Sequence, residues 1–235
     1  MNKTLITDYD GTFKTSDKVL KRNIDSALEY MSKDNVFGIS TGRSYESICS
    51  EKEKYDFCFD YLSCLNANTI FDKDLSLLYR NCIENDFSEV IFSFRNYIDY
   101  AVGRDSYSMI DKYDVVEYVI RFHNEEGRKL FLNYINSGSM YTYYTDNRDR
   151  LTVHVFSKKN DKSYVCDYIS STENIDKSNI YTIGDGNNDI EMIKKFNGYA
   201  MSSAPEIVKA SSLGVYDNFY EFVDNIDNVK KRVRV

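Results

Sequence analysis

Two carboxylates with a single residue between them follow the first apolar run of the chain. They are Asp8 and Asp10 in the string DYDGT at residues 8–12, and the preceding run, Lys3 to Thr7, is predicted to be a strand. The carboxyl end of a buried strand is where open α/β sheets bind ligands, and charges at that position need a partner. The glycine of the string permits a tight turn that frees backbone N–H groups. The alternative interpretation is an acidic strand-to-turn junction with no chemistry.

A second acidic string, GDGNND at residues 184–189, has the spacing of a cation site. Asp185 is predicted to end a strand and Asp189 lies one helical turn later, so both side chains can face the same cavity. Two such carboxylates repel each other, and a hard divalent cation with oxygen ligands would relieve the repulsion. The alternative is a helix N terminus that Asp and Asn side chains merely cap. The presence of the first string favours the cation site.

Short apolar runs alternate with amphipathic stretches around both strings. In the first part of the chain the pattern predicts strands at Lys3 to Thr7, Val36 to Ser40 and Phe57 to Leu65, with helices at Val19 to Met31 and Ser44 to Lys54. After about residue 160 it predicts a helix at Asp161 to Ser170, a strand at Ile180 to Ile183, a helix at Asn187 to Phe196, and further helices from Pro205 and near Asn218 to Val229. Strands that alternate with helices predict a parallel sheet covered by helices.

The middle of the chain, residues 80–156, has a different pattern. Apolar residues recur at helical spacing in Phe87 to Ile98 and Glu125 to Ile135, whereas Val115 to Phe122 alternates as a strand does. Met140 to Tyr144 and Leu151 to Phe156 are predicted to form a hairpin across residues 146–149. This region is therefore predicted to be a separate α-β-β-α-β-β unit. The predicted fold is α/β: a doubly wound, Rossmann-like parallel sheet core, residues 1–79 and 157–235, with an inserted smaller α/β domain, residues 80–156.

Composition and charge argue against several classes of function. The 235 residues carry a formal net charge of -7, which argues against a nucleic-acid partner. The apolar stretch at the N terminus is too short for a signal peptide, and no run reaches the roughly 18 apolar residues of a membrane span. The five cysteines form no CxxC pair, so free thiols in a reducing cytoplasm are expected. His123, His154 and the basic tail at residues 230–234 are interpreted as structural or solvated groups.

The two acidic strings resemble the first and fourth motifs of the haloacid dehalogenase-like superfamily. Between them, ISTGR at residues 39–43 resembles the second motif, with Thr41 supplying the hydroxyl, and DKS at residues 161–163 resembles the third, with Lys162 opening a helix. Residues 200–209 are similar to the segment that follows the fourth motif in the Cof-type subfamily, whose cap is of type IIB. The resemblance covers nearly the whole chain, with the motifs in the family's order.

The spacing of the motifs indicates where the inserted domain lies. The 33 residues from Asp8 to Thr41 suffice for one helix and one strand, whereas the 121 residues from Thr41 to Lys162 exceed that requirement. The extra unit therefore lies between the second and third motifs, where the pattern of residues 80–156 independently places it. The resemblance implies that this unit is a cap that closes over the site and selects the substrate.

The resemblance also implies a chemistry, that of a magnesium-dependent phosphatase. Asp8 would be the covalent nucleophile and Asp10 the general acid and base. The Mg²⁺ would be held by the Asp8 carboxylate, the Asp10 carbonyl, Asp185 and, through water, Asp189. The implied contacts to the phosphoryl group come from backbone N–H groups near Gly11, from Thr41, Gly42, Arg43 and Lys162, and from Asn188, which would orient Lys162 or a phosphate oxygen. Arg43 is equally compatible with a cation at the start of a helix.

The sequence departs from the family pattern at three places. Tyr9 stands where a leucine is usual, Ser163 where a glycine commonly follows the lysine, and residues 66–68 read Asn-Ala-Asn where Asn-Gly-Ala is frequent. None of these changes removes a reacting group. The third motif leaves three lysines open, Lys158, Lys159 and Lys162, and the position at a helix start favours the last.

The substrate implied by the resemblance is a small phosphorylated metabolite, with sugar phosphates as the leading class. Two other functions stay open at this stage. One is a phosphomutase, which shares the nucleophile and a similar cap. The other is a regulatory protein that binds a phosphorylated metabolite without turning it over, although every expected reactive group is present.

Overall fold

A computed structural model of the chain describes residues 3–83, 87–104, 115–138, 140–145 and 149–226. The strands within these residues are β1 (Thr4–Thr7), β2 (Val36–Ser40), β3 (Tyr61–Cys64), β4 (Thr69–Asp72), β5 (Leu77–Arg80), β6 (Ile98–Arg104), β7 (Glu117–Phe122), β8 (Tyr141–Thr145), β9 (Thr152–Ser157), β10 (Ile180–Gly184), β11 (Asn197–Met201) and β12 (Val215–Tyr216). The α-helices are α1 (Asp17–Met31), α2 (Tyr45–Tyr55), α3 (Phe87–Ser93), α4 (Glu125–Ser137), α5 (Tyr164–Thr172), α6 (Ile190–Lys195), α7 (Glu206–Ala210) and α8 (Phe219–Ile226).

The larger sheet has eight strands in the order β12-β11-β10-β1-β2-β3-β4-β5. The strands from β12 to β3 are parallel, and β4 and β5 extend the sheet as an antiparallel hairpin. The chain runs outward from β1 in one direction through β2 and β3, and in the other through β10, β11 and β12. The strand order therefore reverses between β1 and β10, and such a switch point is where open α/β sheets bind their ligands.

Helices cover both faces of this sheet. Leu5 of β1 packs on one face with side chains of α1, α2 and α8, and the next residue, Ile6, packs on the other face with side chains of α5 and α6. Both are fully buried, and burying such a side chain stabilises a fold by about 1.5–3 kcal/mol. The structure confirms the predicted doubly wound α/β fold.

The first helix shows how the sequence specifies these elements. The Ser16 hydroxyl accepts a hydrogen bond from the Val19 N–H and caps the start of α1. Leu20, Ile24 and Ala27 recur at helical spacing and are buried against the sheet. The helix therefore begins two residues before the predicted start and ends at the predicted residue.

The smaller sheet is antiparallel, with the strand order β6-β7-β9-β8. Side chains of α3 and α4, including Phe87 and Phe131, form a hydrophobic core of their own with Ile120 and Val153 of this sheet. Another part of the sheet carries charges: the buried Glu117 carboxylate pairs with the His154 Nδ1 at 2.8 Å and lies 3.6 Å from an Arg104 nitrogen. Arg104 also pairs with Glu46 of α2 at 3.1 Å, so one cation links the smaller sheet to a helix that covers the larger sheet.

Buried amides cross-link the two connections between the sheets. The Asn81 side chain donates to the Asn68 side-chain oxygen at 2.7 Å, and the Asn68 side chain donates to the Ser157 carbonyl at 3.3 Å. On the returning connection, Asn160 donates to the Ala67 carbonyl at 2.8 Å. Both connections are thereby tied to the turn at residues 65–68. The boundaries assigned to the inserted domain, residues 80 and 156, stay a prediction.

Several predicted elements differ from the observed ones. The helix predicted from Phe87 to Ile98 ends at Ser93, because the chain turns at residues 94–97 and Ile98 begins strand β6, which the predicted α-β-β-α-β-β order includes but to which no residues were assigned. The strand predicted over Phe57 to Leu65 is confined to β3, and the hairpin of β4 and β5 was not predicted. Most of the predicted hairpin loop (146–149), the end of the last predicted helix (227–229) and the basic tail (230–234) lie outside the described residues. Among the described helices, none combines the length and the apolar character needed to cross a bilayer.

Candidate active site

The predicted site residues meet at one edge of the larger sheet. Asp8 follows β1 and Asp185 follows β10, and these strands are neighbours in register, with Thr7 opposite Ile183. Thr41 follows β2, which is the neighbour of β1 on its other side. Because parallel strands end at the same edge, the three residues converge although they are far apart in sequence.

This edge opens into a cleft of about 870 Å³. Its lining comes from both sheets and consists of Asp8, Asp10, Thr41, Gly42, Arg43, Ser44, Ser47, Asn66, Thr142, Tyr143, Phe156, Lys162, Asp185, Gly186 and Asn188. Thr142, Tyr143 and Phe156 belong to β8 and β9 of the smaller sheet. The four motifs recognised in the sequence therefore share a single cavity, and the smaller sheet supplies part of its wall.

A buried lysine forms the floor of the cleft. The Lys162 ammonium donates to Asp8 Oδ1 at 2.5 Å and to Asp189 Oδ1 at 2.7 Å. The three side chains are 2%, 7% and 0% exposed, so this is a nearly dry arrangement of one cation and two carboxylates. Lys162 lies in the turn before α5 and not inside the helix, whereas Lys158 and Lys159 are exposed.

The electrostatics of this group follow from its burial. Burial raises the pKa of Asp8 to about 8; Lys162 opposes that rise, and the neighbouring carboxylate of Asp189 adds to it. Burial lowers the pKa of Lys162, but the carboxylates of Asp8 and Asp189 outweigh burial and hold that pKa above its ordinary value. Lys162 is therefore a permanent cation beside Asp8, while the cost of ionising Asp8 is high.

Asp189 is a support for this lysine. Its Oδ2 accepts hydrogen bonds from the backbone N–H groups of Asp185 at 3.0 Å and Gly186 at 2.8 Å, and its Oδ1 takes Lys162. Its side chain folds back onto the 3₁₀ turn at residues 187–189 and is fully buried. Asp189 does not itself line the cleft, because its oxygens are drawn inward by these donors, although one of them stays within 4.8 Å of oxygens of Asp8 and Asp185.

The carboxylates of this site fit a hard divalent cation. Asp8, Asp185 and Asp189 each offer an oxygen, and the three atoms lie within 4.8 Å of one another. The Thr12 hydroxyl donates to Asp185 Oδ1 at 3.0 Å, and burial raises the pKa of Asp185. Oxygen ligands gathered in this way suit Mg²⁺, and a cation would offset their mutual repulsion. Asp8 and Asp185 are the direct candidates, since Asp189 is engaged by Lys162 and two N–H groups.

Gly11 makes this arrangement possible. Its φ of 80° lies in the left-handed region, and a Cβ at this position would overlap the Asp185 carboxylate. Its N–H donates to the Lys14 carbonyl at 3.0 Å, inside the turn. A contact between the Gly11 N–H and a phosphate stays a prediction, and it requires this turn to open.

Arg43 lies beside Asp10 in the wall of the cleft. Its Nε and one terminal nitrogen donate to the two oxygens of Asp10, each at 2.6 Å. This fork is the geometry in which a guanidinium binds a carboxylate most specifically, and the hydrogen bonds from Arg43 to Asp10 raise the pKa of Arg43. The Asp10 side chain is 53% exposed and that of Arg43 is 29% exposed. The sequence left Arg43 open between two roles, and the structure places it in the cavity against Asp10.

The other predicted phosphate-binding residues also line the cleft. The Thr41 hydroxyl is buried at its base and accepts a hydrogen bond from the Arg43 N–H at 3.1 Å. Gly42 lies in the wall beside it. Asn188 donates to the Asn66 side-chain oxygen at 3.2 Å, whereas Lys162 is held by the two carboxylates. Asn188 therefore has Asn66 and not Lys162 as its hydrogen-bond partner in this structure, and its contact with a phosphate oxygen stays a prediction.

Asn66 was missed as a site residue, although its segment was noted as unusual. Leu65, Asn66 and Ala67 have φ values of 52°, 53° and 65°, a run of left-handed residues that turns the Asn66 amide into the cleft. Ala67 is the position where the family pattern often has glycine, which adopts such angles without strain. The departure from that pattern was the available signal. Nothing in the local sequence indicated that Thr142, Tyr143 and Phe156 would reach the cleft.

Comparison with known proteins agrees with this geometry. The family model for haloacid dehalogenase-like hydrolases matches the chain over two overlapping segments, residues 5–137 and 105–221. The chain belongs to this family. Among curated proteins, none matches the sequence.

Solved structures of the family share the fold at low sequence identity. A haloacid dehalogenase-like hydrolase from Bacteroides thetaiotaomicron has a TM-score of 0.77 and 17% identity, with 96% of this chain and 100% of that chain covered. A putative HAD/COF-like hydrolase from Plasmodium vivax has a TM-score of 0.74 and 19% identity, with 97% and 96% covered. A sugar phosphatase of HAD subclass IIB has a TM-score of 0.70 and 20% identity, with 97% and 100% covered. This chain therefore has the fold of Cof-type members of the family.

Proposed function

We propose that this protein is a Mg²⁺-dependent phosphatase that hydrolyses small phosphorylated metabolites through an aspartyl-phosphate on Asp8. One observation carries the proposal: the Asp8 carboxylate lies on the floor of a cleft, fixed by Lys162 at 2.5 Å. Asp10, a second carboxylate, lies in the same cleft and is half-exposed. A buried nucleophile with a nearby acid in contact with solvent is the pair that a two-step hydrolysis needs.

The first step is the attack of Asp8 on phosphorus. A carboxylate oxygen forms a bond to the phosphoryl group while the bond from phosphorus to the ester oxygen breaks, which leaves an aspartyl-phosphate and an alkoxide. A bound Mg²⁺, held by Asp8 and Asp185, would offset the charge of the phosphate and orient it. Lys162 adds a fixed cation beside the attacking atom, and the Thr41 hydroxyl lies where it can donate to a phosphoryl oxygen.

Asp10 carries the proton in both steps. Its carboxyl group donates a proton to the departing oxygen in the first step and takes one from the attacking water in the second. For the first task it must release Arg43, whose guanidinium is then available to the phosphoryl oxygens. Because the pair is half-exposed, this exchange costs little.

The walls of the cleft support a small, neutral leaving group rich in hydroxyls. Outside the charged residues already described, the lining consists of serine, asparagine, threonine and aromatic side chains, such as Ser47, Asn66 and Phe156. These groups hydrogen-bond to hydroxyls and pack on the apolar face of a ring. Sugar phosphates are therefore the proposed substrate class, and a relative in the comparison is named as a sugar phosphatase. The proposal places the enzyme in the cytoplasm, where the free thiols of its five cysteines would stay reduced.

A panel of phosphate esters tests this proposal. The purified protein should release inorganic phosphate from one or more sugar phosphates with Mg²⁺ and not with EDTA. Asp8→Asn is nearly isosteric and should lower kcat by at least about 10³-fold, because the amide cannot attack phosphorus. Isomer formation without release of phosphate would indicate a phosphomutase. A wild-type protein that leaves the whole panel untouched would contradict catalysis and favour a binding protein.

A further inference from the structure

The residue between the two catalytic carboxylates has a role that its position in the motif does not explain. Tyr9 is fully buried, and its ring packs between Phe13 and Phe57 at centroid distances of 6.2 and 5.9 Å. Its hydroxyl nevertheless has a polar partner, because it donates to Glu51 Oε2 at 2.9 Å. A leucine at this position would also be apolar but would leave Glu51 without this donor.

Glu51 lies on α2 and does not line the cleft. Its carboxylate accepts hydrogen bonds from Tyr9 and from the Lys14 ammonium, and its other oxygen lies 3.6 Å from a terminal nitrogen of Arg43. Its side chain is 20% exposed. Burial raises the pKa of Glu51, but the hydrogen bonds from Lys14 and Tyr9 hold that pKa below its ordinary value. Glu51 is therefore a fixed negative charge directly behind Arg43.

Several contacts besides Glu51 hold the Arg43 guanidinium in place. Arg43, Ser47 and Glu51 are four residues apart, so they lie along one side of α2 and the turn before it. One terminal nitrogen of Arg43 donates to the Ser47 hydroxyl at 3.3 Å, and the guanidinium lies 5.1 Å from the centre of the Tyr9 ring. The rest of the guanidinium forms the fork on Asp10. A half-exposed ion pair does not by itself hold a long side chain in one geometry, so these further contacts determine where Arg43 points.

We propose that Glu51 is a positioning residue for Asp10 and acts through Arg43. Tyr9 and Lys14 fix Glu51, Glu51 fixes the guanidinium, and the fork holds Asp10 at the cleft until a phosphoryl group takes over Arg43 and Asp10 gains its proton. A carboxyl group that starts from this position protonates the leaving oxygen faster, and its placement contributes little to binding of the ester. This inference rests on the proposed phosphatase activity, because it concerns the acid of that reaction.

The dependence on the leaving group distinguishes this role from a general effect on folding. The rate of the first leaving-group release would be measured in single turnovers of wild type and Glu51→Gln, with Mg²⁺ present. One ester is p-nitrophenyl phosphate, whose nitrophenolate departs without a proton, and the other is the sugar phosphate that wild type hydrolyses fastest. We expect Glu51→Gln to lower the rate for the sugar phosphate by about 10-fold, with less than about a 2-fold change for the aryl ester and for KM.

Three further variants complete the test. Glu53→Gln, at an exposed position two residues along the same helix, is the matched control and should leave both rates unchanged. Tyr9→Phe removes one donor to Glu51 and should show the same selective loss at about one third of its size. In an Arg43→Met background, Glu51→Gln should have no further effect, since its influence passes through Arg43.

The outcomes distinguish the positioning role of Glu51 from the proposed phosphatase activity. An equal loss on both esters, or a melting temperature lowered in proportion to the rate, would show that Glu51 is merely structural. Unchanged rates in Glu51→Gln would show that Arg43 holds Asp10 without it. If wild type turns over an ester and either of these results is obtained, the positioning role is overturned and the phosphatase proposal stays intact. A wild type that is inert towards every ester overturns both.

Discussion

The two carboxylates proposed as nucleophile and acid lie in opposite environments within one cleft. Asp8 is in contact with a lysine whose side chain is 2% exposed, and behind that lysine lies the fully buried Asp189. Asp10 is 53% exposed, and its partner Arg43 is 29% exposed. Each carboxylate has a cation within hydrogen-bonding distance, so the number of contacts is similar. The difference lies in the solvent around them.

Solvent decides how much each pair is worth. Charges are screened at the exposed pair, and such pairs typically contribute about 0–1 kcal/mol. In the buried group, removing one member leaves uncompensated charge in a dry site, which costs about 3–5 kcal/mol. The proposed nucleophile, Asp8, is therefore held in place by the fold. The proposed acid, Asp10, stays exchangeable, as the proposed mechanism requires, because in that mechanism it releases Arg43 and reaches leaving groups of different shape.

The largest effect is expected at the buried lysine. Lys162→Ala leaves Asp8 and Asp189 facing each other without their cation, so it should lower kcat by at least about 10³-fold and the free energy of unfolding by about 3–5 kcal/mol. Lys158→Ala is the matched control, because Lys158 is exposed on the same segment, and both values should stay near wild type. Phosphate-release assays and urea melts measure the two quantities. Near-normal stability of Lys162→Ala would contradict the conclusion that Asp8 is held in a buried group of charges.

A substitution of the half-exposed Asp10 should lower the activity and leave the stability nearly unchanged. Asp10→Asn removes the proton carrier and should lower kcat by about 10²–10³-fold. Because it breaks only a half-exposed pair, the free energy of unfolding should change by less than about 1 kcal/mol. The same assays and melts apply, with wild type as reference. If Asp10→Asn destabilised the protein as strongly as Lys162→Ala, the contrast between the buried Asp8 and the half-exposed Asp10 would not hold.

A further effect concerns pH and the stability of the metal-free protein. The pKa of Asp8 is about 8 in the folded state and its ordinary value is 3.8, so between these values the folded protein holds a proton that the unfolded chain has released. Its contribution to stability is complete below 3.8 and is lost as the pH rises to about 8. Asp8→Asn cannot titrate. In EDTA, the difference in melting temperature between wild type and this variant should therefore shift against wild type across that range, and a flat difference would contradict the burial of Asp8.

Adding Mg²⁺ should reverse the trend. Metal binding needs the ionised carboxylate, so the stabilisation by Mg²⁺ should grow as the pH approaches 8. At 100 times its dissociation constant, Mg²⁺ should raise the melting temperature by about 5–10 °C. Asp185→Asn should reduce this shift strongly, because it removes a direct ligand candidate. An equal shift in that variant would place the cation elsewhere.

Local sequence patterns were sufficient wherever a residue lies at the end of a strand. Asp8 and Asp185 each follow a short apolar run, and a parallel sheet brings such positions to one edge, so their meeting could be predicted, whereas Thr41 was assigned by the resemblance to the second motif. Strand β6 is counted in the predicted order of the inserted unit but was not located, since its first residue, Ile98, continues the apolar pattern of α3 and only the turn before it reveals the break. The hairpin of β4 and β5 was missed as well.

Partners chosen in three dimensions were the least predictable part of the site. The hydrogen bonds of Asp189 point inward because Lys162 and two N–H groups lie there, which helical spacing alone does not reveal. The pairing of Arg43 with Asp10 and the pairing of Asn188 with Asn66 depend on how three loops meet. The contacts of the smaller sheet with the cleft depend on the placement of one sheet over the other.

The amide cross-links at residues 65–68 give the cleft a mechanical property. Asn68 holds one connection through Asn81 and the other through Ser157, and Asn160 holds the carbonyl of Ala67. Asn66 belongs to the same turn and points its amide into the cavity. Any tilt of the smaller sheet about its connections must therefore carry or strain this turn. The position of the smaller sheet and the position of one wall of the cleft cannot change independently.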